Sequence, residues 1–256
     1  MQYSLVTGAS SGIGECFARA LGARKQNLVL VARSENKLKV LAEELSGTYG
    51  IHTEPIALDL SAPRAAATLF QAIQERKIEV NLLVNNAGFG AQGPFWEIPL
   101  DQQSQIIHLN VQALIELTYF FLPAMIQKRS GGVINVSSTA SFQPLPYTTV
   151  YAASKAFVTS FSTGLAEEVR PHGVNVVTLC PGTTRTNFFK AGGFKSMNLR
   201  FAFQAPEEVA EAGLRKLDRG GGLVLSRKMD SILLLGERVL PRSWVARMTA
   251  GLFKVK

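Results

Sequence analysis

The chain has 256 residues, 46% of them hydrophobic and 18% charged, with a formal net charge of +8. That length fits one α/β domain with its own core, and the hydrophobic share excludes a disordered or low-complexity chain. Two cysteines exclude a disulfide scaffold, and no uninterrupted apolar run approaches the roughly 20 residues of a membrane span.

The first element is a strand, Gln2 to Val6, that begins at once and leaves no room for a secretory signal, so a cytoplasmic location is expected. It runs into TGASSGIG, Thr7 to Gly14, which opens a helix. A glycine-rich turn between strand and helix is a nucleotide-loop context. Gly8 permits the tight turn, Gly12 lets the backbone approach a pyrophosphate, and Gly14 lets the helix pack closely on the sheet. The helix N-terminus offers N–H donors to phosphate oxygens. The spacing is GxxxGxG, not the general dinucleotide fingerprint GxGxxG, and an ordinary glycine-rich turn is the competing reading.

The second strand, Asn27 to Ala32, ends at Arg33 and Ser34. An acid there would bond the ribose 2′-hydroxyl of NAD; Arg33 suits a 2′-phosphate instead, with a hydroxyl from Ser34 beside it, so the expected cofactor is NADP(H). The third strand, His52 to Leu58, leads into Asp59 and Leu60, where Asp59 or the serine beside it is also a candidate helix cap. The fourth, Asn81 to Val84, leads into NNAG, Asn85 to Gly88. Long helical segments follow around Gln102 to Lys128 and Val150 to Val169, flanking a fifth strand, Gly132 to Val136. A sixth strand, Val174 to Leu179, precedes Cys180 and PGTTRT, Pro181 to Thr186; a weak seventh reads at Gly222 to Leu225. Strands alternating with amphipathic helices indicate an α/β fold, a single Rossmann-type doubly wound parallel sheet of about seven strands with helices on both faces. Ligands bind such sheets at the carboxyl ends of the strands, where Gly8, Asn86, Ser138 and Gly182 all fall. Cys16 and Cys180 are read as core thiols, with a redox role for Cys180 as the minor alternative.

The chemistry concentrates in YAASK. Tyr151 and Lys155 stand at i and i+4 and share a helix face, so an ammonium beside the phenol would favour its ionised form and make it a general acid/base near neutral pH. Ser138, at the end of GGVINVSS, would donate to the same substrate oxygen. The bare YxxxK spacing is weak evidence by itself.

Taken together these motifs resemble the classical short-chain dehydrogenase/reductase family, over roughly Gln2 to Asp218. The resemblance makes TGASSGIG the cofactor loop and NNAG the segment that steadies the sheet beside the cofactor. It makes Asn110, Ser138, Tyr151 and Lys155 a catalytic tetrad, Asn110 holding a water in a proton relay through the lysine. Cofactor contacts are then expected from Gly8, Ser10, Ser11, Gly12, Ile13 and Gly14, from Arg33 and Ser34, and from Asp59 and Leu60 on the adenine side. Asn86, Ala87 and Gly88 follow, then Tyr151 and Lys155, then Pro181, Gly182, Thr184 and Thr186 on the nicotinamide side. The implied function is an NADPH-dependent carbonyl reductase or alcohol dehydrogenase acting on a small molecule. A sensor or membrane-surface protein using the same fold is the alternative.

The substrate pocket is expected between Phe89 to Trp96, Thr139 to Tyr147 and a lid, Asn187 to Gln204, hinged at Gly192 and Gly193. Phe188, Phe189, Phe194, Met197, Phe201 and Phe203 favour a lipophilic carbonyl compound, steroid-like, aldehyde or ketoacyl; Lys190, Lys195 and Arg200 would suit an anionic headgroup or a solvated face. Residues 1–218 read as the cofactor and catalytic part of the domain, and 219–256 as its last strand and a basic helical extension. From Arg215 to Lys256 there are ten Lys or Arg against three Asp or Glu, +7 of the chain's +8. Apolar positions recur at helical spacing at Ile232, Leu235 and Val239, then at Trp244, Val245, Met248 and Leu252, on either side of Pro241. Packing on the domain or on another subunit is preferred to peripheral membrane contact for this tail. Nucleic acid is disfavoured, since neither a reading helix nor an aromatic platform accompanies the charge. The long basic ending departs from the family's usual tetramer-forming terminus, and a homodimer through the two long helical segments is expected.

Overall fold

The structure, a computed structural model, describes residues 1–194, 203–227 and 240–253. Met197, Phe201, Lys195 and Arg200 of the expected lid, and Ile232, Leu235 and Val239 of the tail, lie outside the described residues. The side chains of Lys190 and Leu252 do as well.

Seven strands form one sheet: β1 (Gln2–Thr7), β2 (Asn27–Ala32), β3 (Thr53–Ala57), β4 (Glu79–Asn85), β5 (Gly132–Val136), β6 (Asn175–Cys180) and β7 (Gly222–Leu225). Their order is β3-β2-β1-β4-β5-β6-β7, and every pairing is parallel. The central strands are buried on both faces, which is why LVLV in β2 and VVTL in β6 read as continuous runs without alternation. Each run divides its residues between two layers. Val6, Leu28, Leu30, Val84, Ile134 and Val177 meet helices α1 (Gly12–Ala23), α2 (Glu35–Tyr49) and α8 (Pro206–Asp218). Leu5, Val29, Val31, Leu83, Val133 and Val176 meet α3 (Ala65–Glu75), α5 (Ala113–Lys128) and α6 (Thr149–Val169). β3 lies at the sheet's edge and contains Pro55, a residue without an N–H to give to a further strand.

Helix α4 (Leu100–Ile107) passes through a π-helical turn, His108–Gln112, directly into α5. Among the described residues this stretch, Leu100–Lys128, is long and apolar enough by length and composition to cross a membrane. Polar residues, among them Asp101, Glu116 and several Gln, interrupt its apolar ones, so no unbroken run reveals it. Here Leu114, Leu117, Phe121 and Met125 bury its inner face. Two further helices, α7 (Phe188–Ala191) and α9 (Arg242–Phe253), lie beyond β6 and β7 in the chain.

The order of strands reverses between β1 and β4, so the crevice of the fold opens at the carboxyl ends of these two strands. The loops after β1, β4, β5 and β6 all end there.

Candidate active site

The glycine loop owes its shape to contacts that leave no room for a Cβ. Gly8 and Gly12 have φ of +66° and +59°, where L side chains are strained. A Cβ on Gly14 would lie 2.3 Å from the Gly8 carbonyl oxygen, and one on Gly8 would lie 2.8 Å from Asn86 Nδ2. Gly12 instead faces Thr186: its Cβ would come within 3.0 Å of Thr186 Cγ2, so the loops after β1 and β6 close on each other at the start of α1. Ser11 occupies the N-cap of α1 without a side-chain cap bond. A bare helix start framed by glycines is a cradle that a pyrophosphate fits.

NNAG fixes this cradle from the β4 side. Asn86 Nδ2 donates to Thr7 O at 2.9 Å, while the backbone N–H groups of Asn86 and Ala87 both donate to Thr7 Oγ1 at 3.0 Å. Thr7 was not singled out from the sequence; its place at the last position of β1, just before Gly8, is the signal. Asn85 points the other way, into the protein, and its Nδ2 donates to Asn135 Oδ1 at 2.9 Å and Thr118 Oγ1 at 3.1 Å. Asn135 Nδ2 donates onward to Ser162 Oγ at 2.9 Å. The steadying role expected of NNAG is thus divided between two asparagines.

The four tetrad candidates converge. Tyr151 and Lys155 come from the first turns of α6, Ser138 from the turn after β5, and Asn110 from the π-helical turn. A widened π-turn changes which side chains face inward, and here it buries Asn110. Asn110 Nδ2 donates to Phe89 O and to Ser154 Oγ, each at 3.0 Å, and its Oδ1 accepts from Phe89 N at 3.1 Å. Its amide therefore clamps the backbone just past NNAG. Ser154, the small polar residue inside YAASK, is a supporting residue the sequence did not mark. Gly88 is the spacer: a Cβ there would lie 2.9 Å from Asn110 Oδ1 and 3.4 Å from Lys155 Nζ.

Lys155 is 6% exposed and donates from Nζ to Val136 O at 2.8 Å. Burial lowers its pKa to about 8, with a small opposing effect of Cys180. Burial also pushes the Tyr151 phenol up to about 12, and a hydrogen bond with Ser138 pulls in the other direction. The expectation that the ammonium would leave the phenol readily ionised is therefore corrected. Lys155 Nζ lies 5.9 Å from the tyrosine ring centroid, and loss of water sets the direction of the phenol's shift. The phenol carries its proton at neutral pH, which is the state of an acid. Ser138 Oγ accepts from Ala140 N at 3.1 Å, which fixes the hydroxyl oxygen at the N-cap of a short 3₁₀ turn.

The segment after β6 is tied to this centre by Thr139 N donating to Pro181 O at 2.9 Å. Thr184 is buried, and its hydroxyl donates to Gly182 O and accepts from Gln204 Nε2. Thr186 Oγ1 accepts from Phe188 N at 3.3 Å. Cys180 is fully buried, its thiol raised to about 11 by burial, in keeping with a core role. Four described aromatic residues of this segment form one cluster, and Phe188 joins it to the tyrosine: Phe188 lies 5.4 Å from the Tyr151 ring and 5.8 Å from Phe194, and Phe189 touches both Phe194 and Phe203.

On the adenine side, Arg33 is exposed just past β2 and close enough to Asp59 for its charge to be felt there. Burial raises the Asp59 carboxyl, but bonds from Ser61 and the charge of Arg33 outweigh it and hold the group below its usual value. Asp59 does not cap α3. Its Oδ1 accepts from Ser61 N and Oγ, a local turn, and α3 begins only at Ala65. Ser34 takes the N-cap position of α2 without a side-chain cap bond. The Leu60 side chain belongs to the core, which leaves only its backbone for a ligand.

Helix α9 returns to the loop that follows β5. Val245 is buried and Thr249 Oγ1 donates to Pro144 O at 3.0 Å, beside the turn that carries Ser138. Trp244 and Met248 are 60% and 66% exposed, so the domain itself covers only part of the apolar stripe. The helix meets the domain through a narrower contact than its sequence suggested.

Residues 2–193 match the protein family described as short chain dehydrogenase. The chain is 32% identical over 247 residues, 95% of its length and 73% of the other's, to hydroxysteroid dehydrogenase-like protein 1 of Gallus gallus. It is 33% identical over 224 residues to the very-long-chain 3-oxoacyl-CoA reductase of Phaeosphaeria nodorum, covering 86% of this chain and 64% of that longer protein. Among solved structures, a short-chain dehydrogenase from Sphingobium yanoikuyae in complex with NADPH superposes with a TM-score of 0.83 at 29% identity, over 95% of this chain and 97% of the other.

Proposed function

Since the chain belongs to the short-chain dehydrogenase family, we propose that it is an NADPH-dependent reductase of a lipophilic ketone or aldehyde, with Tyr151 as the general acid. The observation that carries this reading is the convergence of Tyr151, Ser138 and Lys155 at the switch point of the sheet, where loss of water raises the Tyr151 phenol to about 12 and so favours its protonated form. The nicotinamide, when bound, supplies a hydride to the carbonyl carbon. Ser138 and Tyr151 hold the carbonyl oxygen, and Tyr151 releases its proton to that oxygen as negative charge develops there. Lys155, still mostly an ammonium at neutral pH with a pKa near 8, sits within the cluster to offset the resulting phenolate and to hold ribose hydroxyls. Asn110 keeps the backbone at Phe89 in place and links the cluster toward a proton supply.

The glycine cradle fits a pyrophosphate, and Arg33 supports the 2′-phosphate of NADP(H) over the free hydroxyl of NAD. The aromatic group of Phe188, Phe189, Phe194 and Phe203 beside Tyr151 supports an apolar substrate. The names of the relatives, a hydroxysteroid dehydrogenase-like protein and a 3-oxoacyl-CoA reductase, point to the same kind of molecule. A homodimer is proposed through the outer faces of α5 and α6, where Tyr119 and Phe157 stand exposed and Phe157 stacks on the half-buried Phe161. Peripheral contact with anionic lipid is proposed for α9, through Trp244, Met248, Arg242 and Arg247.

The test is NADPH oxidation by the purified protein against carbonyl compounds graded in chain length and bulk, ketoacyl thioesters included, with NADH in parallel. Turnover rising with apolar size and a preference for NADPH is expected. Arg33→Glu should lower the NADPH-over-NADH preference by about 10- to 100-fold, the worth of a charge-assisted hydrogen bond. Tight NADPH binding with no turnover on any compound would overturn the reductase reading.

A further inference from the structure

The chain leaves the loop after β6 at Thr186, runs into the aromatic cluster, and comes back to the same loop at Gln204. There Thr184 and Gln204 pair as a parallel bridge: Gln204 N donates to Thr183 O and Arg185 N donates to Gln204 O, each at 3.0 Å. The side chain adds a third bond. Gln204 is buried, and its Nε2 donates to Thr184 Oγ1 at 3.1 Å, while that hydroxyl donates to Gly182 O at 2.9 Å. A hydroxyl has one proton to give. With that proton directed at Gly182, the amide must face Thr184 with its nitrogen, and Oε1 is left as a buried acceptor without a partner. An amide held in such a place at a cost in free energy calls for a reason other than stability.

What Gln204 joins supplies that reason. On one side stands α8, which begins at Pro206 and buries Val209, Ala210 and Leu214 in the core, so Gln204 is mounted on rigid structure. On the other side, the loop it holds reaches the glycine cradle, where Thr186 Cγ2 lies so close to Gly12 that a Cβ there would come within 3.0 Å. We propose that Gln204 is a positioning residue of the cofactor site: through the Thr184 hydroxyl it holds the nicotinamide-side loop, Gly182 to Thr186, where a bound dinucleotide needs it. Thr184, its hydroxyl engaged both as donor and as acceptor, is the strut between them. Gln204 itself touches no reacting atom. The expected adenine end of the site, at Arg33 and Asp59, belongs to the loops after β2 and β3 and lies outside this bracket. The inference rests on the NADPH reading above.

The experiment measures, by titration calorimetry, the affinity of the purified protein for NADPH and for 2′,5′-ADP, which keeps the adenine and the 2′-phosphate but has no nicotinamide. Gln204→Met keeps the length of the side chain and removes the donor. It should weaken NADPH binding by about five- to tenfold, the range of one hydrogen bond, and leave 2′,5′-ADP binding as in the wild type. Because the substitution also removes the unpaired acceptor, Tm should stay close to the wild-type value. Thr184→Val removes the same bond from its other end and should show the same split between the two nucleotides; it carries the comparison should Gln204→Met fail to fold. The double variant should bind NADPH no more weakly than the weaker single variant, since one bond is lost only once. Equal losses for both nucleotides in folded variants, unchanged NADPH affinity in both single variants, or additive losses in the double variant would overturn the proposal. NADPH binding by the wild type in that event leaves the reading above standing; a wild-type protein that binds neither nucleotide removes both.

Discussion

Asn135 and Lys155 both bury a polar side chain between β5 and α6, and the protein treats them differently. Asn135 is neutral, accepts from Asn85 and donates to Ser162, within a chain of amides and hydroxyls that joins β4 to β5 and α6. Lys155 is a cation whose Nζ has a bond to Val136 O, and burial lowers its pKa to about 8. The first arrangement holds the sheet and helix in register. The second keeps a charge in an unfavourable place next to a phenol whose own ionisation is suppressed, and such strained pairs of titratable groups mark chemistry more than scaffolding. The lesson is that burial alone does not separate structural from catalytic polar groups; the number of partners and the direction of the pKa do.

The comparison breaks first at the tyrosine. Tyr151→Phe removes the proton donor without emptying the space, so kcat/KM should fall about 10³-fold while NADPH affinity, read by fluorescence titration, stays within a few-fold. Near-native turnover in that variant would remove Tyr151 from its role. Lys155→Met should also lose most activity, yet thermal melts at pH 7 should show it as stable as the wild type or more so, by about 1 kcal/mol, because a buried ammonium is replaced by an apolar side chain of similar size. Asn135→Leu should do the opposite. It takes from Asn85 Nδ2 one of its two acceptors and from Ser162 Oγ its donor, so unfolding free energy should drop by about 2–3 kcal/mol, with kcat at saturating NADPH reduced only modestly. If Lys155→Met melts lower than Asn135→Leu, the contrast between the two sites is wrong.

Two smaller effects depend on pH. The folded-state pKa of Lys155 lies below its ordinary value of 10.5. Below pH 8 the ammonium is charged in both folded and unfolded chains, and the burial cost is paid in full. As pH rises from 8 toward 10.5 the folded protein sheds the proton first, and that cost is relieved. The melting difference between wild type and Lys155→Met should therefore shrink over this window, and a difference that stayed constant would contradict the shift. In the same range kcat/KM for carbonyl reduction should decline with an apparent pKa near 8, since Tyr151 keeps its proton to about 12 and is not the group being lost.

Much of this was legible before any coordinates. Strand positions in the sequence agree with the sheet to within two residues at each end, because buried parallel strands leave runs of Val, Leu and Ile that few other structures require. For the same reason the loops that carry Gly8, Asn86, Ser138 and Gly182 all follow the carboxyl ends of parallel strands β1, β4, β5 and β6. Less legible were residues whose importance comes from what lies across the fold. Thr7 matters because Asn86 and Ala87 arrive beside it, Ser154 because a π-turn aims Asn110 at it, and Gln204 because the chain returns it to Thr184. The tail was read as an apolar stripe, and only Val245 and Thr249 of the described part are buried; periodicity shows that a helix has an apolar face, not how much of it finds a neighbour.

The sequence by itself determined the order of strands and helices along the chain, the glycine loop and the candidate residues of the site, since these depend on local backbone freedom and on patterns a few residues long. Tertiary structure decided the direction in which burial shifts Tyr151 and Lys155, the division of labour between Asn85 and Asn86, and the unpaired acceptor at Gln204. Each of these is set by burial and by partners distant in sequence, and the free energy of a charge or a hydrogen bond in a protein depends on which neighbours replace water, which the chain reveals only after it has folded.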